Sequence, residues 1–160
     1  MFETKDLDLK FIELAVRLAE RGLGQTWPNP TVGCIIVKEN KIIGRGVTGV
    51  EGTPHAEIIA LERAGENSKG ADMYVSLEPC AHYGKTPPCV QAIIKAGIKR
   101  VICPIEDPDP RVSGKGFSQL KKASVQVKLL PIAKNIAKKI NRGFIKKIEM
   151  NQPYVTLKLA

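Results

Sequence analysis

Four residues of this 160-residue chain have the types and spacing for metal chemistry. His55 and Glu57 stand in Thr53-Pro-His-Ala-Glu57, Cys80 ends Glu78-Pro-Cys80, and Cys89 follows in Pro88-Cys89 after eight intervening residues. Two thiolates and one imidazole make a zinc set, because zinc takes soft sulfur and imidazole nitrogen in tetrahedral geometry. Structural zinc takes four protein ligands, whereas catalytic zinc takes three and keeps a position for water. The chain has only two histidines, so His82, two residues from Cys80, is the one further histidine available as a fourth ligand. The residues alone leave both arrangements open. Zinc lowers the pKa of its bound water to about 7. A carboxylate near the metal but not on it then moves the proton, and Glu57 has the type for that role. Spacing does not aim it there, since residues i and i+2 point to nearly opposite sides of a regular helix. A lone Glu in a first helical turn is equally a solvated carboxylate.

The elements that must position these residues follow from pattern. Leu7, Phe11, Leu14, Ala15 and Leu18 recur at helical spacing and stop at Gly22, predicting a first helix with that stripe in the core. Residues 25–30 form a Pro-restricted loop. Residues 32–37 and 41–47 read as a hairpin turning at Glu39-Asn40. Thr53-Pro54 and Thr86-Pro87 each open a helix, with His55 and Cys89 expected in the first turns and ends at Gly65 and Gly97. A thiolate is favoured by the free N–H groups at such a start. Residues 71–77 and 99–105 are predicted strands. A long loop, Asp107 to Gly116, precedes a short helix at 117–122 and a strand at 125–130. Ile132, Ile136 and Ile140 mark a last amphipathic helix. Cys34 and Cys103 fall inside strands and read as buried core. Alternating strands and helices predict an α/β domain with a mixed sheet.

Composition bounds the setting. Apolar residues are 43% and charged residues 26%, which is globular. No stretch approaches the roughly 18–20 apolar residues of a membrane span. The opening Met1-Phe-Glu-Thr-Lys-Asp6 lacks an apolar signal core, so we expect a cytoplasmic protein without a membrane partner. There, cysteines serve metal binding or burial rather than disulfides. The net charge of +9 is concentrated: residues 115–160 carry eleven Lys/Arg and one Asp/Glu, while residues 1–114 are near neutral. We read the basic excess as solvated lysine faces, and nucleic acid is not an expected partner.

H-A-E followed by P-C and a second Cys resembles the signature of zinc nucleoside and nucleobase deaminases, apart from the eight-residue spacing between the cysteines. The stretch Ser76-Leu-Glu-Pro-Cys-Ala-His-Tyr-Gly-Lys-Thr-Pro-Pro-Cys89 resembles more closely the deaminase domain of riboflavin biosynthesis. Pro28-Asn-Pro-Thr-Val-Gly33, Gly52-Thr-Pro-His-Ala-Glu57, Asp107-Pro-Asp-Pro-Arg-Val-Ser-Gly-Lys-Gly116 and Asn141-Arg-Gly-Phe144 agree, in order, along essentially the whole chain.

The resemblance implies a cytidine-deaminase-like three-layer α/β/α sandwich with a mixed sheet. It implies hydrolytic deamination of 2,5-diamino-6-ribosylamino-4(3H)-pyrimidinone 5′-phosphate to the 5-amino-6-ribosylamino pyrimidinedione and ammonia. His55, Cys80 and Cys89 would hold one zinc, Glu57 would shuttle protons, and Asn29, His82, Lys85, Thr86, Asp107 and Asp109 would line the substrate pocket. A deaminase acting on tRNA adenosine or on free guanine shares the short motif and is the alternative. Two positions depart from the family: Thr48 stands where a His is usual, and Asp109 where an Asn is usual. Many members add an NADPH-dependent reductase domain. Residues 1–144 are therefore expected to form the deaminase domain. Residues 145–160 are expected to be a mobile linker and a possible first strand of a missing reductase domain, with no NADPH site in this chain. Further copies of the chain, or that domain, are the expected macromolecular partners.

Overall fold

The computed structural model describes residues 4–84, 86–110 and 112–159. Its strands are β1 (Gly33–Lys38), β2 (Lys41–Val47), β3 (Asp72–Val75), β4 (Arg100–Cys103) and β5 (Gln126–Leu129). They form one mixed sheet in the order β2-β1-β3-β4-β5. β1 is antiparallel to both β2 and β3, while β3, β4 and β5 run parallel. Glu39 and Asn40, the β1–β2 turn, both have positive φ (50° and 60°), the backbone that matches a two-residue loop to strand twist.

The helices are α1 (Thr4–Ala19), α2 (Ala56–Ala64), α3 (Cys89–Lys95), α4 (Lys115–Lys122), α5 (Lys134–Ile140) and α6 (Arg142–Met150). Side chains alternate across a strand, so β1 feeds two cores. Cys34 and Ile36 join Met73, Val75, Val101 and Cys103 under α2, α3 and α4. Ile35 and Val37 join Tyr74 and Ile102 under α1. The result is the expected three-layer α/β/α sandwich, and Cys34 and Cys103 are the fully buried core residues predicted. Two strand glycines set how closely α2 approaches. A Cβ on Gly44 would collide with the Ala60 carbonyl, and one on Gly46 with the Ala56 carbonyl, one helical turn earlier.

Three readings of the helices are corrected. In α1 the buried face is Ile12, Ala15, Val16 and Ala19, whereas Leu14 is 44% exposed. Ala15 and Ala19 make the close approach to the sheet at Gly33, with Ile12 and Val16 buried beside them. The same holds in α5 and the helical turn just before it (Pro131–Ala133), where Ala133 and Ala137 are buried while Ile132 and Ile136 are 74% and 41% exposed. Residues 142–150 form α6, which was not predicted. The division expected after residue 144 falls inside it, and its Ile145 is buried. Residues 152–159 have no regular structure and are exposed. No helix among the described residues is long and apolar enough to cross a membrane.

One buried carboxylate ties α1 to three strands. Asp8, only 1% exposed, accepts from Tyr74 Oη (2.7 Å) on β3 and Arg100 Nη2 (3.2 Å) on β4. It also accepts from Lys128 Nζ (2.6 Å) on β5. Burial alone would raise its pKa, but the contacts with Lys128, Tyr74 and Arg100 outweigh burial and hold it below the usual carboxylate value. Stability from Asp8 is therefore present above the unfolded pKa of about 3.9 and lost as pH falls through the lower folded value. Asp8→Ala should cost about 2 kcal/mol at pH 7, since both cations partly reach solvent and so lose less than a fully buried pair. Urea denaturation measures this, and an unchanged midpoint would show the cluster to be idle.

Candidate active site

The strand directions bring the chemistry to one end of the sheet. β3 and β4 finish there, and because β1 is antiparallel to them its start lies there too, as does the end of β2. In open α/β sheets, this carboxyl end of the parallel strands is where ligand sites form. The segments after β2, β3 and β4 and the loop before β1 thus converge, carrying Thr48, residues 77–80, Asp107 and Asn29. Helices α2 and α3 both begin at this end.

His55 is the N-cap of α2, with extended backbone (φ −70°, ψ 152°), not a first-turn residue as its Thr-Pro opening suggested. That difference explains how it shares a site with Glu57. The rule that i and i+2 diverge applies only within a helix, and His55 lies outside it. Cys89 is the first residue of α3, as predicted. His55 Nδ1 lies 3.2 Å from Cys89 Sγ and 3.5 Å from Cys80 Sγ. The Cys89 backbone N–H donates to Cys80 Sγ at 3.2 Å. The three donor atoms all lie within 4.8 Å of one another. Tetrahedral zinc would place its nitrogen and sulfur ligands about 3.5 Å apart, so the donor set fits zinc in both chemistry and spacing. Among the described residues His82 is not in this group, so the cluster offers three protein donors.

Glu57, in the first turn of α2, is only 4% exposed. Burial first, then the negative Cys80, push its carboxyl up to about 7. Hydrogen bonding to Cys89 draws Cys80 down to about 4, while Cys89, donating to it, is raised.

Above the cluster opens a pocket of about 390 Å³, within the range of small-molecule sites. Asn29, Thr48, His55, Glu57, Cys80, His82, Thr86, Asp107 and Asp109 line it. The structure therefore gathers every predicted site residue except Lys85, which lies outside the described residues. Asn29 Nδ2 donates to the Gly52 carbonyl (3.1 Å). Asp107 accepts from the Asp109 backbone N–H (2.8 Å), and burial raises its carboxyl to about 6. Thr48 accepts from the Val32 backbone N–H (2.9 Å), extending the β1–β2 pairing to the pocket wall.

Two contributors were not anticipated. The first is α6, whose Phe144, Lys147 and Ile148 line the pocket; their helical spacing was the available signal. The second is Glu78, 4% exposed. Its carboxylate accepts four backbone N–H groups: Asp107 (3.2 Å), Gly114 (2.9 Å), Gly116 (2.9 Å) and Phe117 (3.3 Å). It pins the Asp107–Gly116 loop two residues from Cys80. Its place beside Pro79-Cys80 was visible in sequence, but its partners are main-chain groups that no side-chain pattern reveals.

Residues 5–105 match the cytidine and deoxycytidylate deaminase zinc-binding region. A protein of Buchnera aphidicola subsp. Schizaphis graminum, the diaminohydroxyphosphoribosylamino-pyrimidine deaminase, is 47% identical over 146 residues, covering 91% of this chain and 99% of that protein. The riboflavin biosynthesis protein RibD of Haemophilus influenzae is 47% identical over 160 residues, covering 100% of this chain and 43% of that protein. The solved RibD of Acinetobacter baumannii superposes with a TM-score of 0.89 at 47% identity, covering 94% of this chain and 42% of that one. The chain thus spans less than half the length of these RibD proteins.

Glu78→Gln would replace one accepting oxygen by an NH2 group that faces N–H donors. We expect a loss of about 2 kcal/mol and faster hydrogen exchange at the Asp107, Gly114, Gly116 and Phe117 amides, with β1 amides still protected relative to them. Unchanged protection of those four amides would show that the loop holds itself.

Proposed function

This chain belongs to the cytidine and deoxycytidylate deaminase zinc-binding family, and from that premise we propose that it deaminates 2,5-diamino-6-ribosylamino-4(3H)-pyrimidinone 5′-phosphate in riboflavin biosynthesis. The observation that carries the reading is a buried carboxylate, Glu57, lining one pocket with a three-donor His/Cys/Cys cluster. The likeness to the Buchnera deaminase over nearly its full length supports the substrate.

In this reading His55, Cys80 and Cys89 hold zinc, which when bound makes a water a competent nucleophile at neutral pH. The water oxygen adds to the ring carbon bearing the 2-amino group. The adjacent ring C=N double bond opens as that C–O bond forms, and Glu57 carries one proton of the water to the ring nitrogen and the other to the amino nitrogen. The C–N bond then breaks, ammonia leaves and a carbonyl remains. A carboxyl that ordinarily ionises near 4 is poorly matched to both halves of this transfer, and burial raises Glu57 from that range. Asn29, His82, Lys85, Thr86, Asp107 and Asp109 read the substrate's donors and acceptors. A site built from buried polar groups discriminates against analogues that leave those groups unpaired.

All four cysteines are free thiols, which supports a reducing, cytoplasmic setting. Residues 1–144 together with the rest of α6 make the deaminase unit of this proposal, and residues 152–159 lead toward a reductase domain. A Thermotoga maritima protein named for both a deaminase and a reductase activity supports that arrangement, at 37% identity over 94% of this chain. A further copy of the chain is the other partner we propose.

The test is ammonia release from the diaminopyrimidinone ribotide by zinc-loaded protein. Glu57→Gln should keep one zinc per chain by metal analysis and lose about 10²–10⁴-fold in kcat. Zinc-loaded wild-type protein that releases no ammonia, or a Glu57→Gln variant of full activity, would refute the assignment.

A further inference from the structure

The described residues lining the active-site pocket include four carboxylates, Glu57, Glu78, Asp107 and Asp109, and a single Lys or Arg, Lys147 of α6. That lysine also lines a second groove, of about 610 Å³. The two spaces share Pro28, Asn29, Pro30, Phe144 and Lys147, so the groove continues the pocket past Asn29 and Lys147 stands at the junction.

Lys147 is held there before any ligand arrives. Its ammonium lies 4.0 Å from the centre of the Trp27 ring, which is 67% exposed. Among the described residues it forms no ion pair, whereas Arg100 and Lys128 are paired with carboxylates. The helix beneath it is fixed at its start. Asn141 Oδ1 accepts from the Thr31 backbone N–H (3.0 Å) and Asn141 Nδ2 donates to the Thr31 carbonyl (2.9 Å), with Asn141 buried. That two-sided clamp binds α6 to the loop carrying Trp27 and Asn29, while Ile145 anchors the next turn in the core.

We propose that Lys147, stacked on Trp27 at the junction of pocket and groove, is the specificity-determining residue that binds the phosphate monoester of the substrate. The inference rests on the proposed function, in which the substrate is a ribosyl 5′-phosphate. Such a group carries a charge of about −1.5 to −2 at neutral pH. The pocket interior is lined by carboxylates and disfavours it, so it settles toward the groove, which Lys147 lines at the junction and Arg142 further along. A lysine ammonium serves phosphate as a compact point charge. The exposed ring holds the ammonium near the junction without neutralising it.

The test compares ribose 5-phosphate with ribose as probes of the folded protein, by calorimetry. Wild type should bind ribose 5-phosphate about tenfold more tightly or better, from charge-assisted hydrogen bonding. The preference should vanish in Lys147→Ala and return in Lys147→Arg. In kinetics, the kcat/KM ratio of the ribotide over its dephosphorylated riboside should fall about tenfold in Lys147→Ala, mainly through KM. Equal binding of the two probes by wild type, or a preference kept by Lys147→Ala, overturns the proposal. A Lys147-dependent preference in a protein that releases no ammonia from the ribotide supports this subsite and removes the proposed reaction instead.

Discussion

Cys80, Cys89 and Glu57 concentrate potential negative charge in a place nearly closed to water, and the surroundings are arranged to bear it. Three full charges at such separations are untenable in a low-dielectric site. The chain's own groups relieve part of the load. The Cys89 N–H and the His55 imidazole both approach Cys80 and lower its pKa, while the Cys89 thiol and the Glu57 carboxyl are raised. A divalent cation coordinated by both sulfurs and Nδ1 would relieve the rest and ionise both thiols. The zinc site and the raised Glu57 carboxyl are thus two results of one crowding.

That crowding depends on where the helices begin. β1 runs against β3, so the β1–β2 hairpin returns the chain to the end of the sheet where β3 and β4 stop. α2 starts from that return and α3 from the loop after β3. The glycines at 44 and 46 let the α2 backbone lie directly on β2, which fixes Glu57 in depth. Glu78 then carries the constraint sideways. It follows β3 beside Cys80 and gathers the N–H groups of the loop after β4, so the segment carrying Cys80 and the loop that lines the pocket are tied together.

Much of this was legible in the sequence, for identifiable reasons. The metal donors were legible because two cysteines and a histidine make a zinc set and stand in the order of a known deaminase motif. The strands were legible because apolar β-branched runs bounded by turns have few other conformations. The α1 and α5 stripes were misread because apolar size was taken for burial. A helix lying close on a sheet buries alanines and leaves Leu14, Ile132 and Ile136 at its margins. Asp8 was missed because a carboxylate near a helix start ordinarily faces solvent, and its three partners come from residues 66 to 120 positions away. Glu78 was missed because it pairs with main chain. The aim of Glu57 was not derivable from spacing, since it hinges on whether His55 stands inside the helix or just before it.

The two departures from the family pattern act on the pocket through different physics. Thr48, where a histidine is usual, accepts the Val32 N–H and so completes a strand pairing; its polar atom already has backbone to serve. Asp109, where an asparagine is usual, can only accept when ionised. It stands beside Asp107 and is one reason besides burial that the Asp107 carboxyl is raised. Replacing an amide by an acid therefore adds negative character to a wall that already holds Glu57 and Glu78. An electroneutral amino-pyrimidinone tolerates such a wall and can donate to it. For the phosphorylated substrate we propose, the same wall disfavours the phosphate, and the way outward past Asn29 leads to Lys147 of α6.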